Sequence, residues 1–156
     1  TALAARTPDV RLLVVGQAGH GGPEIEGEIA ASPAAARIDR RTWLPTAELP
    51  GLYAGARGLV YPSWYEGFGF PVLEAMWHGC PVITSDRGAM AEVAGDAALP
   101  VDPADTDALS VAMERLLEDD ACRADLVRRG RDHARTFTWA DCAARTAAVY
   151  AAARAG

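Results

Sequence analysis

Short apolar runs alternating with stretches of helical character constrain this chain more than any other feature. Arg11 to Gly16 is a brief apolar run that ends in glycine, followed by a loop through Gly22 and a helical segment from Pro23 to about Ala31. Ile38 to Leu44 is a second extended run, followed by a helix from about Thr46 to Ala56, in which Thr46 is the expected cap and Glu48 lies in the first turn. Gly58 to Ser63, Pro81 to Thr84 and Ala97 to Val101 are three more short strands. Between the first two of these, Pro71 is expected to open a helix that Gly79 closes. From Thr106 onward the pattern is helical, through Leu117, then Ala121 to Arg135, then Thr138 to about Ala153.

Such an alternation implies a parallel sheet, because strands this short and this apolar need helices on both faces, and parallel neighbours are joined by helical crossovers. The predicted class is α/β, a Rossmann-like parallel sheet with helices on both faces. In such sheets ligands bind in the crevice at the carboxyl ends of the strands. The loops there are Gly16 to Gly22, the turn from Ser63 to Phe70, and Ser85 to Gly88.

At 156 residues, half of them hydrophobic, the chain is long enough for one domain with a real core, and residues 1–156 are read as one domain. The chain opens without methionine, and Thr1 to Arg6 reads as the end of a helix, so a fragment of a longer protein is expected. A net charge of −6 and no basic stripe argue against nucleic acid as a partner. All 15 basic residues are arginine. Cys80, Cys122 and Cys142 fit neither a disulfide framework nor a zinc site, which suits a reduced, cytoplasmic setting. No apolar run is long enough to span a bilayer.

The segment Tyr61-Pro62-Ser63-Trp64-Tyr65-Glu66-Gly67-Phe68-Gly69-Phe70-Pro71-Val72-Leu73-Glu74-Ala75-Met76 carries the chemistry. A strand, a glycine turn and a helix start form an anion site, because the first helical N–H groups lack intrahelical partners and the helix dipole favours negative charge. With Pro71 starting the helix, Glu74 falls in the first turn and Glu66 before it, on either side of the Gly67-Phe68-Gly69 turn. Two carboxylates beside an anion site call for a ligand with hydroxyl groups as well as phosphate. A nucleotide diphosphate joined to a sugar has both.

The Glu66-x7-Glu74 pattern, with Ser63 before it and Glu74-Ala75-Met76-x-x-Gly79-x-Pro81-Val82-Ile83-x-Ser85 after it, resembles the retaining glycosyltransferases of the GT-B fold, in their large family four. The resemblance runs on through Glu92 to Ala98 and Val101-Asp102-Pro103 to Phe137-Thr138-Trp139. It covers essentially the whole chain, and it matches only the C-terminal, donor-binding half of such an enzyme. By this resemblance Glu74 holds the ribose hydroxyls, Glu66 contacts the transferred sugar and is the catalytic candidate, and Gly67, Phe68, Gly69 and Phe70 line the diphosphate and sugar. The family's arginine and lysine on the first strand of this half would precede Thr1. An N-terminal acceptor-binding domain is expected as the absent partner, membrane contact is expected only through that half, and the isolated piece is expected not to turn over.

Further pocket candidates are Gly16 and His20 in the first glycine loop, Leu44 after the second strand, and Arg87 and Gly88 after the fourth. The glycine loop lacks the spacing of a dinucleotide fingerprint, and a plain connection explains it equally well. Arg40 and Arg41 read as a charged strand face, His78 as a structural residue at a helix end, His133 as an exposed helix position and Glu92 as a brace for its loop. Trp139, Ala143, Thr146 and Tyr150 recur at helical spacing and read as a core-facing stripe; in relatives the final helix crosses back to the N-terminal domain, so part of its apolar surface is expected to be exposed here. Three scattered histidines give no ligand set, so no protein-bound metal and no cofactor besides the sugar nucleotide are expected.

The function expected is transfer of a hexosyl group, mannosyl or glucosyl, from a nucleotide-diphosphate sugar to an acceptor hydroxyl. A sugar-nucleotide epimerase of the same fold and a non-catalytic nucleotide-sugar binding module are the alternatives.

Overall fold

A computed structural model describes residues 2–17, 19 and 21–155. The chain forms two compact units, Thr1–Leu49 and Pro50–Gly156, described in turn. In the first, α1 (Ala2–Arg6) leads to β1 (Leu12–Val15), α2 (Gly22–Ala31), a 3-10 turn at Ala35–Arg37 and β2 (Ile38–Arg41). The two strands pair in parallel, with Leu12 opposite Ile38 and Val15 opposite Arg41. Arg37 ties the unit together: its guanidinium donates to the carbonyls of Ala4 and Thr7, each at 2.6 Å, and so caps the end of α1. Arg40 pairs with Glu26 and Arg41 with Asp39; as strand neighbours they point to opposite faces, and the Arg40 side chain is only 11% exposed, so the two do not form one charged face.

A 3-10 turn at Thr46–Glu48 then leads into α3 (Leu49–Gly55). Thr46 is therefore not the cap of a long helix; Pro45 precedes it in extended conformation and the chain tightens into the turn before α3 begins.

The second unit holds β3 (Leu59–Tyr61), α4 (Phe70–Trp77), β4 (Val82–Ser85), α5 (Gly88–Ala94), β5 (Leu99–Val101), α6 (Thr106–Glu118), α7 (Asp120–Ala134) and α8 (Trp139–Ala155). Its three strands are parallel in the order β3-β4-β5, with Leu59 opposite Val82 and Ile83 opposite Leu99. Central β4 is buried along its whole length. Because side chains alternate along a strand, Val82 packs with Val72, Met76, Met90 and Val93 of α4 and α5, while Ile83 packs with Leu116 and Leu126 of α6 and α7. The strands are parallel and flanked by helices, as the alternation of runs requires, but they form two sheets, of two and three strands, where one was expected.

α5 was not foreseen; it is a seven-residue helix in a stretch read as loop, so Glu92 is an exposed helical residue and not a loop brace. The expected core-facing stripe of α8 is also overturned. Trp139 is 81% and Tyr150 68% exposed, and Ala143 and Thr146 are exposed too. The apolar residues of α8, its alanines on one side and Trp139, Cys142, Val149 and Tyr150 on the other, surround the helix, so no single apolar face directs it onto the unit.

Candidate functional site

The turn between β3 and α4 is shaped by one residue. Gly69 caps α4 with φ 101°, a left-handed conformation that a side chain resists. Phe70 is already helical and Pro71 takes the second position, so α4 begins one residue earlier than the proline suggests. Glu74 thereby moves out of the first turn, which contains no acidic residue. Its carboxylate sits one step along the helix. α4 ends as expected at Gly79, where the Cys80 N–H reaches the Ala75 carbonyl at 2.8 Å and the Gly79 N–H reaches Met76 at 3.0 Å, the paired bonds of a left-handed glycine terminus.

Among the described residues, the backbone N–H groups of Gly67, Phe68, Gly69 and Phe70 meet no acceptor. Pro71 has no N–H, and that of Val72 bonds the Gly69 carbonyl at 3.0 Å. Four unpaired donors therefore cluster where the positive end of the α4 dipole lies. Phe68 and Phe70 flank them, with ring centroids 4.8 Å apart, and Phe137 meets Phe68 edge-on at 6.2 Å.

Each glutamate is held by a tyrosine. Tyr61 Oη donates to Glu66 Oε1 at 2.7 Å, and Ser63 Oγ donates to the same oxygen at 3.0 Å. Tyr53 Oη on α3 donates to Glu74 Oε2 at 3.3 Å, while its ring lies parallel to that of His78, 6.2 Å between centroids. Burial, and after it the bond to Glu66, pushes the Tyr61 phenol up to about 12. Burial and then the Glu74 charge drive the Tyr53 phenol far above its usual range. Glu66 is half-buried and Glu74 exposed, beside a cleft of about 200 Å³ lined by Leu73, Glu74, Trp77, His78, Ala134 and Phe137. A larger cavity of about 450 Å³ opens at the other end of β4, beside Arg57 and Pro81. Its Arg123 is bound to the carbonyls of Leu116 and Leu117 and to Asp120, and it lies away from the strand ends where parallel sheets take ligands.

Arg87 lies near this turn but is engaged. Its guanidinium pairs with Asp86 at 2.9 Å and Asp102 at 2.8 Å and lies 5.8 Å from the centre of the Trp64 ring. Gly88, with φ 58° and open space where a side chain would go, starts α5. Gly16 and Leu44 belong to the first unit: the Gly16 N–H bonds the Arg41 carbonyl at 3.0 Å, and Leu44 is buried. His20 lies outside the described residues. His133 is not the exposed residue its neighbours suggest. Its Nε2 lies 2.8 Å from the Val93 carbonyl and its ring meets Phe137 edge-on, so it ties α7 to the end of α5. Tyr53 and Tyr61 are the residues the sequence reading missed; their signal was a tyrosine two residues before Ser63 on a strand leading to the glutamate, and nothing local marked Tyr53. No group of three or more histidine, cysteine, aspartate or glutamate side chains suited to a metal occurs among the described residues. No helix among them is long and apolar enough to cross a membrane.

Parallel strands flanked by helices, with the glycine turn at the carboxyl end of a strand, are the fold of solved glycosyltransferases, and comparison with known proteins gives the family. The profile of the family described as glycosyl transferases group 1 matches residues 1–119, and the chain belongs to that family, which is one of enzymes. The O-antigen chain mannosyltransferase B of Escherichia coli is 46% identical over 108 residues, which are 69% of this chain and 28% of that protein. The solved sucrose-phosphate synthase of Thermosynechococcus elongatus superposes with a TM-score of 0.83 at 30% identity, over 99% of this chain and 41% of that one. An Anabaena protein solved in complex with UDP and glucose shares the fold, with a TM-score of 0.82 at 23% identity over 96% of this chain and 42% of that one. The chain thus spans less than half the length of each of these proteins.

Proposed function

We propose that this chain is the donor-binding half of a retaining glycosyltransferase that moves a hexosyl group, mannosyl or glucosyl, from a nucleotide-diphosphate sugar to an acceptor hydroxyl. The observation that carries the reading is the cluster of unpaired amides at Gly67 to Phe70, set between two carboxylates that are each anchored by a phenol. The amides and the α4 dipole face the diphosphate, whose negative charge grows as its bond to the anomeric carbon breaks. Glu74 accepts from the ribose hydroxyls. Glu66 accepts from the transferred sugar, and the acceptor oxygen takes the place of the diphosphate at the anomeric carbon with configuration kept. No protein-bound metal enters this reading.

The mannosyltransferase among the relatives supports the sugar class, and the neighbour solved with UDP and glucose supports the kind of donor. Both named activities are syntheses or transfers, which favours transfer over epimerisation. The acceptor groups are assigned to a further domain of a longer enzyme acting in the cytoplasm.

The test is a titration of this chain with GDP-mannose, UDP-glucose and ADP-glucose by ligand-observed NMR. Saturable binding of one of them, lost in Glu74→Ala, is expected. Binding that Glu74→Ala leaves intact, or binding of none both by this chain and by the longer enzyme, overturns the reading.

A further inference from the structure

Two hydroxyl groups converge on one oxygen of Glu66, and both are anchored from the strand next door. Tyr61 Oη and Ser63 Oγ both donate to Glu66 Oε1, at 2.7 and 3.0 Å. The backbones of these two donors are fixed in turn. Thr84 Oγ1 donates to the Tyr61 carbonyl at 2.9 Å, and Ser85 Oγ donates to the Ser63 carbonyl. Thr84 is 1% and Ser85 0% exposed, and they are the buried polar side chains of a strand otherwise made of valine and isoleucine. A hydroxyl buried there is costly unless it is bonded, and both are bonded to the two residues that hold Glu66. Each donor to Glu66 Oε1 therefore belongs to a residue whose backbone carbonyl is bonded from the buried strand. Among the described residues Oε2 of the same carboxylate has no hydrogen-bond partner.

We propose that Tyr61 and Ser63 are positioning residues for Glu66: together they fix Oε1 so that Oε2 is presented to a hydroxyl of the transferred sugar. This rests on the placement of Glu66 at that sugar in the reading above. A glutamate side chain has several rotatable bonds, and freezing them on binding weakens affinity, so a carboxylate already held in place binds more tightly than a free one. The same bonds leave the amides of Gly67 to Phe70 untouched. The two hydroxyls should therefore matter to the sugar and not to the nucleoside diphosphate.

The experiment measures the affinity of this chain for whichever of GDP-mannose, UDP-glucose or ADP-glucose binds, and for the matching nucleoside diphosphate, in wild type, Tyr61→Phe, Ser63→Ala, the double variant, Glu66→Ala, and Tyr61→Phe with Glu66→Ala. The double variant is expected to weaken the sugar nucleotide by on the order of tenfold, the scale of a lost bond to a charged acceptor, and to leave the nucleoside diphosphate unchanged. Ser63→Thr, which keeps the hydroxyl, is expected to bind like wild type. In the Glu66→Ala background Tyr61→Phe is expected to cost nothing further, the signature of two residues acting through a third. Equal weakening of both ligands, or the same loss with and without Glu66, overturns the proposal by showing general damage to the turn. If Glu66→Ala weakens the sugar nucleotide and the hydroxyl variants do not, this inference alone fails. If Glu66→Ala itself changes nothing, the placement of Glu66 fails and this inference with it.

Discussion

A Cβ on Gly69 would lie 2.0 Å from Cε of Met90, a side chain that is itself 1% exposed. The start of α4 therefore presses against the tip of Met90 on α5, which must shift to admit a methyl group, and φ 101° at the same residue disfavours any side chain regardless of space. Gly69→Ala is expected to destabilise the fold by about 1–3 kcal/mol, from backbone strain and overpacking, and to abolish sugar-nucleotide binding by reorienting the turn amides. Denaturant unfolding together with the donor titration measures both. Adding Met90→Ala should recover part of the stability, since it relieves the contact but not the dihedral; full recovery would show that the conformation of Gly69 is not under strain.

The segment from Tyr61 to Cys80 was legible because it is local: a strand, a turn glycine, a helix start and a glycine stop are all written in adjacent residues. Even there the helix start was read one residue late, since Pro71 is accepted at the second helical position as well as the first, and that moved Glu74 out of the first turn. The two phenols were not legible. Tyr53 meets Glu74 across 21 positions, and its role depends on how α3 packs beside α4. The short α5 was missed because Gly88-Ala89-Met90-Ala91 carries neither a capping side chain nor an acidic first turn, and its Met90, Val93 and Ala94 form a helix by packing into the core. His133 was misread for a similar reason: its charged neighbours Arg131 and Asp132 mark an exposed face, whereas the next face of α7 turns inward to Val93. α8 failed in the opposite direction, since helical spacing of apolar residues shows a stripe without saying that anything covers it.

Asp105 and Asp107 have the one-residue spacing of a carboxylate pair that can share a cation, but Asp105 is used otherwise. Its Oδ1 accepts from the backbone of Asp107 at 3.1 Å and of Ala108 at 2.8 Å, capping α6. Asp105→Ala is expected to lower stability by about 1 kcal/mol, and Asp105→Asn or Asp105→Ser to retain most of it. Thermal unfolding checks this. A loss confined to metal-containing buffer would contradict the capping role.

Gly130 lets α7 approach α4. A Cβ there would come within 3.1 Å of Met76 Cγ, and Met76 is 1% exposed in the core beneath the candidate site. Gly130→Val is expected to cost about 1–3 kcal/mol by overpacking, while Gly130→Ala is expected to be milder, because the helix gains from replacing glycine what the contact loses. The comparison of the two by urea unfolding separates steric crowding from helix propensity. Wild-type stability in the valine variant would mean that α7 moves away without penalty, and then donor binding, which depends on the α4 turn, should change.

The phenols give the fold an alkaline limit with a defined sign. Tyr61 ionises near 10 when exposed and at about 12 in the folded protein, so between these values the unfolded chain has lost a proton that the folded one keeps. Stability is then fully present below pH 10 and falls as pH rises toward 12. Tyr53, raised further by burial and Glu74, adds to the fall across the same range. Urea midpoints measured between pH 8 and 12 are expected to decline above pH 10, and the decline to be shallower in Tyr61→Phe and Tyr53→Phe, with the double variant shallowest. The phenylalanine variants lose a donor to each glutamate and should therefore be less stable than wild type at pH 8, where the phenols are neutral, so the wild-type and variant curves converge as pH rises. Parallel curves would show that neither phenol is held in its protonated form by the carboxylate it meets.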